Sequence, residues 1–417
     1  MNDETGREGA GERRALGAIV RAFLLLPVVW IGAPAASSPA RAQTLVHGPK
    51  AARIHEYLTR ATAFGFSGSV LVARDGEVVL HAGYGEADRD AGVPVTPETV
   101  FDIGSITKQF TAAAILALEE EGKLRVEDPI SRFFDEVPAD KRAITVHHLL
   151  THSSGLRRGF GGDYQRMPRD SLVRLVLDSE LLWAPGTRFR YANAGYSLLG
   201  AIVEKLSGHS YEGYLSEALF GAAGLERTGY VGPDWSKERV AVGYRAGERW
   251  GTPLDHAWAE DGPWWILRAN GGLLSSAGDL YRWHRALETE GVLTAASREK
   301  LFSPYVPESE GGTSHYGYGW SIAPTDRGTR LVWHNGGNGV FFANFRRYVD
   351  EDVVVIFLTN EMANRQVEPA ILQLAFGVDV QFPPLAAAEV VATTLARYPG
   401  TYRLPSGADL VVVVRDG

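Results

Sequence analysis

The apolar pattern of this chain changes period along its length, and that restricts the folds open to it more than any other feature. Between Lys50 and Phe64, Ile54, Tyr57, Leu58 and Ala61 recur at helical spacing. Ser69 to Ala73 and Glu77 to His81 then read as two strands joined by Asp75-Gly76, a dipeptide suited to the positive φ angles of a tight hairpin turn. Helical periodicity follows over Ile106 to Glu121, closed by Gly122, and over Thr145 to Thr151, Ala194 to Leu206, Tyr211 to Leu219 and Ala277 to Glu288. The period changes again near the end, where Gly317 to Ala323, Arg330 to His334, Val340 to Tyr348 and Val353 to Thr359 read as successive antiparallel strands, with Asp350-Glu351-Asp352 turning the last pair. Val367 to Phe376 is helical again. Strands at both ends and helices between them predict an α+β fold: one antiparallel sheet built from both ends, with a helical region inserted.

The flanking segments differ from this pattern. Arg13 and Arg14 precede a short apolar run from Ala22 to Ile31, and Ala40-Arg41-Ala42 has the small-x-small form read by signal peptidases, so residues 1–42 are expected to be a signal peptide with the mature chain starting near Gln43. The run is too short for a comfortable membrane span, and no later stretch approaches the roughly 20 apolar residues a spanning helix needs. The expectation is therefore a soluble protein outside the cytoplasm, secreted or periplasmic, with no stable membrane span after cleavage. The main domain is expected over 43–380. Beyond it, Pro383, Pro384 and an alanine-rich stretch read as a linker, and Tyr398 to Tyr402 and Leu410 to Val414 as first strands of a separate element. Asp416-Gly417 is a hairpin turn with no returning strand, so 381–417 is expected to be a linker and the start of a truncated β-rich element.

Composition removes several kinds of chemistry. The chain has no cysteine, which excludes disulfides, thiol nucleophiles and thiolate metal sites. A net charge of −8 without basic runs gives no general attraction to nucleic acid. The nucleophile of any covalent chemistry must be an oxygen or a nitrogen.

Three short motifs supply candidates. In Gly104-Ser105-Ile106-Thr107-Lys108 a serine at a helix start and a lysine three residues on share one helical face, so the amine can reach the hydroxyl. An ordinary lysine is protonated at neutral pH; the positive helix end and burial both disfavour the ammonium form and would turn Lys108 into a proton acceptor. Arg190-Tyr191-Ala192-Asn193 follows Pro185-Gly186 and precedes a helix, so that a phenol and an amide can enter one cleft; near two cations the phenol is expected to lose its proton more easily. Trp333-His334-Asn335-Gly336-Gly337 ends a strand, where glycines let a substrate approach the backbone. Singly, each motif has a plain structural reading: a surface serine and lysine, a half-buried tyrosine, a packed histidine.

In this order, the three motifs resemble the Ser-x-x-Lys, Tyr-x-Asn and Lys/His-x-Gly triplet of the serine β-lactamase and penicillin-binding protein superfamily, most of all its class C and D-alanyl-D-alanine carboxypeptidase branch. The likeness extends through Phe101 to Phe110, Ile144 to Leu156, Tyr196 to Gly200, Gly271-Gly272-Leu273 and Tyr316 to Trp320, covering roughly residues 50 to 376. It implies a five-stranded antiparallel sheet flanked by helices, with an all-helical region over one side of a cleft. It further implies that Ser105 attacks a carbonyl while Lys108 and Tyr191 take and return its proton, with His334 a third catalytic group moving protons around it, and that Asn193 holds Lys108 and the substrate amide. The N–H groups of Ser105 and Gly337 would form an oxyanion hole, with Gly336 and Asn335 along the same strand. Water would release the acyl group, with no metal or organic cofactor. The partner expected is a small-molecule or peptide substrate; oligomeric state is left open.

Two departures bear on the substrate. His334 stands where β-lactamases usually carry lysine, and Asn335 replaces the hydroxyl residue that helps bind a substrate carboxylate. Both favour a carboxypeptidase, D-aminopeptidase or esterase over an efficient β-lactamase. The other readings are a β-lactamase, or a penicillin-binding sensor that is acylated without turnover. A zinc site on His148 and His152 lacks companion ligands. Gly208 to Gly213 comes nearest to a Gly-x-Ser-x-Gly elbow, but its second glycine falls one place late. Trp264, Trp265, Tyr316 and Tyr318 are the aromatic candidates for lining a cleft.

Overall fold

The computed structural model describes residues 44–385, 397–403 and 409–413. The proposed signal peptide, most of the alanine-rich stretch and Asp416-Gly417 lie outside the described residues. A nine-stranded antiparallel sheet runs in the order Leu45–Val46, Glu77–Tyr84, Gly68–Arg74, Val353–Thr359, Phe342–Tyr348, Arg330–Gly337, Ser321–Pro324, His315–Tyr316 and Val306–Pro307. Its five long strands are Gly68–Arg74, Glu77–Tyr84, Arg330–Gly337, Phe342–Tyr348 and Val353–Thr359. Short strands extend them at both edges. The two ends of the chain meet where Gly68 pairs with Thr359 and Arg74 with Val353.

Turn chemistry sets these registers. Asp75 and Gly76 take φ of 52° and 77°, as an Asp-Gly hairpin requires. Where the sequence suggested one strand from Gly317 to Ala323, the Gly317 N–H donates to the Trp320 carbonyl at 2.7 Å, and the turn splits the segment in two. Likewise the strand expected from Val340 begins at Phe342, because the Asn338 side-chain oxygen accepts the N–H groups of Val340 and Phe341 at 3.0 and 2.9 Å.

Val353–Thr359 is buried along its whole length because both faces of the sheet are covered. Val353, Val355 and Phe357 pack with Ile54, Leu58, Ile371 and Leu374 from the helices Gly48–Thr62 and Glu368–Ala375. Val354, Ile356 and Leu358 join a larger core on the opposite face, which includes the helix Thr107–Glu120. That helix is buried without a break from Thr107 to Leu116, so it is a central element and not an amphipathic surface one. The inserted helical region contributes Val146–Leu150, Arg169–Asp178, Asn193–Ser207 and Tyr211–Leu215 to the same core. Arg169–Asp178 was not anticipated, although Pro168 before it, Asp170 in its first turn and the buried Leu172, Val176 and Leu177 are all sequence signals for a helix. Tyr211–Leu215 is shorter than expected because the chain widens into a π turn over Ser216–Phe220.

Near the C-terminus, Gly400–Arg403 pairs antiparallel with Asp409–Val412. Among the described residues no helix is long and apolar enough to cross a membrane.

Candidate active site

The strand Phe101–Asp102 leads through a 3-10 turn, Gly104–Ile106, into Thr107–Glu120, and this junction presents Ser105. Gly104 has φ of 51°, and a Cβ there would lie 2.4 Å from the Gly337 nitrogen, so only glycine allows the turn to press against the strand Arg330–Gly337. Gly336 is the matching gap on the strand: its Cβ would stand 2.0 Å from the Ile103 carbonyl oxygen and 2.6 Å from the Ser105 nitrogen. The buried Asp102 fixes the turn from behind. Its two carboxyl oxygens accept the Gly104 N–H at 2.7 Å and the Asn338 side-chain N–H at 2.8 Å. Burial raises the Asp102 pKa to about 7, aided by the nearby Asp163 charge and opposed by those two hydrogen bonds.

Lys108, fully buried, lies one helical turn further on with Nζ 3.1 Å from Ser105 Oγ and 2.6 Å from the Asn270 carbonyl oxygen. Its other neighbours are aromatic faces, with the Tyr191 and Tyr196 ring centroids at 4.7 and 5.5 Å. Burial pushes the Lys108 pKa well below the ordinary value; Asp163 opposes this and Arg158 adds to it. A neutral amine fits the geometry: one N–H donates to Asn270, and the lone pair can accept the Ser105 proton.

Tyr191 is held by an element the motifs did not single out. The buried His152 accepts the Ala192 N–H at Nδ1, 3.1 Å away, and its ring lies 4.2 Å from that of Tyr191. The Tyr191 hydroxyl is buried without a hydrogen bond that meets normal geometry. Burial pushes its pKa up, outweighing the Ser105 hydroxyl and the Arg158 charge, which pull it down. This corrects the expectation of an easily ionised phenol: burial outweighs the groups that favour the phenolate.

Asn193 begins the helix Asn193–Ser207 with its Oδ1 buried and unpartnered, and it makes no hydrogen bond to Lys108. Asn270 holds the lysine instead, and its own side chain donates to Ser197 Oγ at 2.8 Å and to the Ile266 carbonyl at 2.7 Å. Asn270 directly precedes the Gly271-Gly272-Leu273 run, the only local signal that could have drawn attention to it.

His334 is buried, and its Nε2 lies 2.9 Å from the Tyr316 hydroxyl while Nδ1 faces the Asn335 carbonyl. Nδ1–H therefore donates to the backbone and Nε2 accepts from Tyr316, a tautomer assigned from these partners. Burial lowers its pKa to about 3, so the ring is neutral. His334 thus lines the cleft with Nε2 engaged by Tyr316 and Nδ1 by the backbone, and has no hydrogen bond to Ser105. Asn335 is exposed next to it, opposite Asn344 in register. Ser105, Arg158, Tyr191, Glu308, Tyr316 and His334 bound a cleft of about 310 Å³, with Asn335, Gly336 and Gly337 along its strand side.

The remaining candidates are structural. His148 caps its own helix through Thr145, whose N–H donates to His148 Nδ1 at 3.2 Å. Tyr318 bonds His147 at 2.7 Å and stacks on Tyr305, and Trp265 is buried in the core. Of the four aromatic candidates Tyr316 alone borders the cleft.

A hydroxyl at a helix start, a buried lysine in hydrogen-bond reach and a glycine-lined strand closing the other side define a serine hydrolase of the β-lactamase and penicillin-binding protein superfamily. The chain belongs to the β-lactamase family, whose model, described as "Beta-lactamase", matches residues 59–377. It is 30% identical over 365 residues to penicillin-binding protein 4* of Bacillus subtilis (strain 168), covering 82% of this chain and 80% of that protein. The octameric penicillin-binding protein homologue from Pyrococcus abyssi is similar at a TM-score of 0.69 and 30% identity, over 87% of this chain and 85% of that one. EstCE1, a hydrolase with promiscuous acyltransferase activity, shares the fold at a TM-score of 0.68 and 23% identity, over 79% of this chain and 98% of its own.

Proposed function

We propose that the protein cleaves amide or ester bonds through an acyl-enzyme on Ser105, in the manner of a D-alanyl carboxypeptidase, a D-aminopeptidase or an esterase. The observation that carries this reading is the 3.1 Å approach of the Lys108 amine to Ser105 Oγ in a buried setting where, among the described residues, no carboxylate forms an ion pair with it. The Lys108 lone pair takes the hydroxyl proton as Oγ bonds to the substrate carbonyl carbon. The carbonyl oxygen becomes an oxyanion facing the N–H groups of Ser105 and Gly337, which the two glycine contacts bring side by side. As the tetrahedral centre collapses, the leaving nitrogen or oxygen takes a proton from Lys108 by way of the neutral Tyr191 hydroxyl, which suits a relay better than a phenolate would. Water then repeats the sequence in reverse and frees Ser105.

The neutral His334, standing where β-lactamases usually carry lysine, supports amide and ester substrates over β-lactams. The test is a side-by-side assay of a chromogenic ester, a D-alanyl-D-alanine peptide and a cephalosporin. Continued product release from the ester or the peptide supports the hydrolase. A single equivalent from all three identifies a sensor, and fast cephalosporin turnover a β-lactamase. The Arg-flanked apolar run and Ala40-Arg41-Ala42 support export, and N-terminal sequencing of the mature protein should start near Gln43.

A further inference from the structure

Three side chains able to carry positive charge surround the nucleophile, and they differ in what they can offer a substrate. Lys108 is sealed from solvent, with its hydrogen bonds directed at Ser105 and Asn270. His334 has both ring nitrogens engaged, with Tyr316 and with the backbone. Arg158 is exposed on the cleft wall and, among the described residues, its guanidinium has neither a hydrogen bond nor an ion pair. Its backbone is nonetheless anchored, since its carbonyl accepts the Ala194 N–H at 3.3 Å in the first turn of the helix behind Tyr191. Guanidinium stays charged at every working pH and matches a carboxylate through two parallel N–H donors.

Building on the hydrolase reading, we propose that Arg158 determines specificity by pairing with a carboxylate carried on the acyl or leaving group of the ester or amide in the cleft. The departure at Asn335 fits this assignment: the strand offers an exposed amide where a hydroxyl would help bind an anion, and the loop across the cleft supplies the charge instead. Glu308 gives the cleft polarity. It borders the same cavity, is tethered by the hydroxyls of Ser314 and of Ser321, the latter at 3.0 Å, and repels an anion from its own end. The Arg158 charge acts near the reacting groups, since it is felt at Lys108, Tyr191 and Asp163.

Two pairs of chromogenic or fluorogenic esters matched in size locate the carboxylate: mono(4-nitrophenyl) glutarate against its methyl ester for the acyl side, and 4-acetoxybenzoate against methyl 4-acetoxybenzoate for the leaving-group side. The readout is the anionic-to-neutral ratio of kcat/KM, which cancels any general effect of Arg158 on Lys108. In one pair this ratio should fall at least about tenfold in Arg158→Ala and further in Arg158→Glu, with Arg158→Lys retaining part of it. Raising salt should lower the wild-type ratio. Ratios within about threefold of wild type in both the Ala and the Glu variants, for both pairs, overturn the assignment. If wild type hydrolyses none of the four esters and not the D-alanyl-D-alanine peptide either, the hydrolase reading fails separately. Calorimetric titration with glutarate and with 4-hydroxybenzoate then decides on Arg158 alone: binding that Arg158→Glu removes sustains it, and equal or absent binding overturns it.

Discussion

On one face of the sheet Val70, Val72, Val353, Val355 and Phe357 meet Ile54, Leu58, Ile371 and Leu374, an apolar contact in which burial itself is the stabilising event. On the opposite face Leu71, Ile356, Leu358 and Phe345 sit in a core that also surrounds Asp102, Lys108, His152 and His334, all buried and all shifted toward their neutral forms by burial. The same strands serve both, alternate residues pointing to each side. Desolvated ionisable groups weaken a fold and are kept where their altered protonation is of use. The first face holds the sheet together; the second uses that rigidity to keep an amine uncharged beside a hydroxyl.

Substitutions can break this division, and the largest effects should separate cleanly. Lys108→Met, similar in volume but without the amine, should slow acylation by about a hundredfold or more while leaving thermal stability equal or higher, since it removes a buried polar group. Tyr191→Phe should also slow acylation about a hundredfold or more. Burst rates near wild type in either variant would reject the shared-proton scheme. The mirror experiment on the apolar face is Phe357→Ala, which should cost about 3–5 kcal/mol in denaturant unfolding with near-normal turnover by the protein that remains folded. Lost catalysis at full stability would merge the two faces again.

Smaller effects sharpen the comparison at the seam between turn and strand. Gly336→Ala forces the strand off the Ser105 turn, given the 2.0 Å approach to the Ile103 carbonyl, and should lower kcat for every substrate at least about tenfold. An unchanged kcat would show that the oxyanion site does not depend on this contact. Asp102→Asn addresses pH. The folded-state pKa of Asp102, about 7, lies above the ordinary carboxyl range, so its contribution to stability is present at acid pH and is lost as pH rises toward about 7. Catalysis should run the other way, because the ionised form accepts from both Gly104 and Asn338 and protonation below about 7 disrupts one of those bonds. Wild-type kcat/KM should therefore fall severalfold from pH 8 to pH 6, and Asp102→Asn should flatten that step. A step that survives the substitution belongs to another group facing the site, with Asp163 or Lys108 the nearest candidates.

Much of this was legible in the sequence because it depends on local spacing. Three residues of helix place Lys108 against Ser105, Asp75-Gly76 turns the first hairpin, and a short run of β-branched and apolar residues marks Val353–Thr359 wherever its partners lie. What escaped depends on contacts across the chain. The group that holds Lys108 is a backbone carbonyl, at Asn270, and side-chain identity does not encode the position of a carbonyl. The same holds for His152, which supports Tyr191 from a distant helix end, and for Asn338, which both latches Asp102 and delays the strand start to Phe342. The sign of the Tyr191 shift was misjudged because charges can be counted along a sequence whereas burial cannot.

The central claim is that burial leaves Lys108 neutral and so makes Ser105 the one reactive hydroxyl of the cleft. Its most direct test is intact-mass and peptide-level analysis after a fluorophosphonate or penicillin is added to wild type, Ser105→Ala and Lys108→Met at neutral pH. One adduct on Ser105 in wild type, none in Ser105→Ala and strongly slowed labelling in Lys108→Met is the predicted result. Equal labelling of Ser105→Ala, or a wild-type adduct on another residue, would contradict the account.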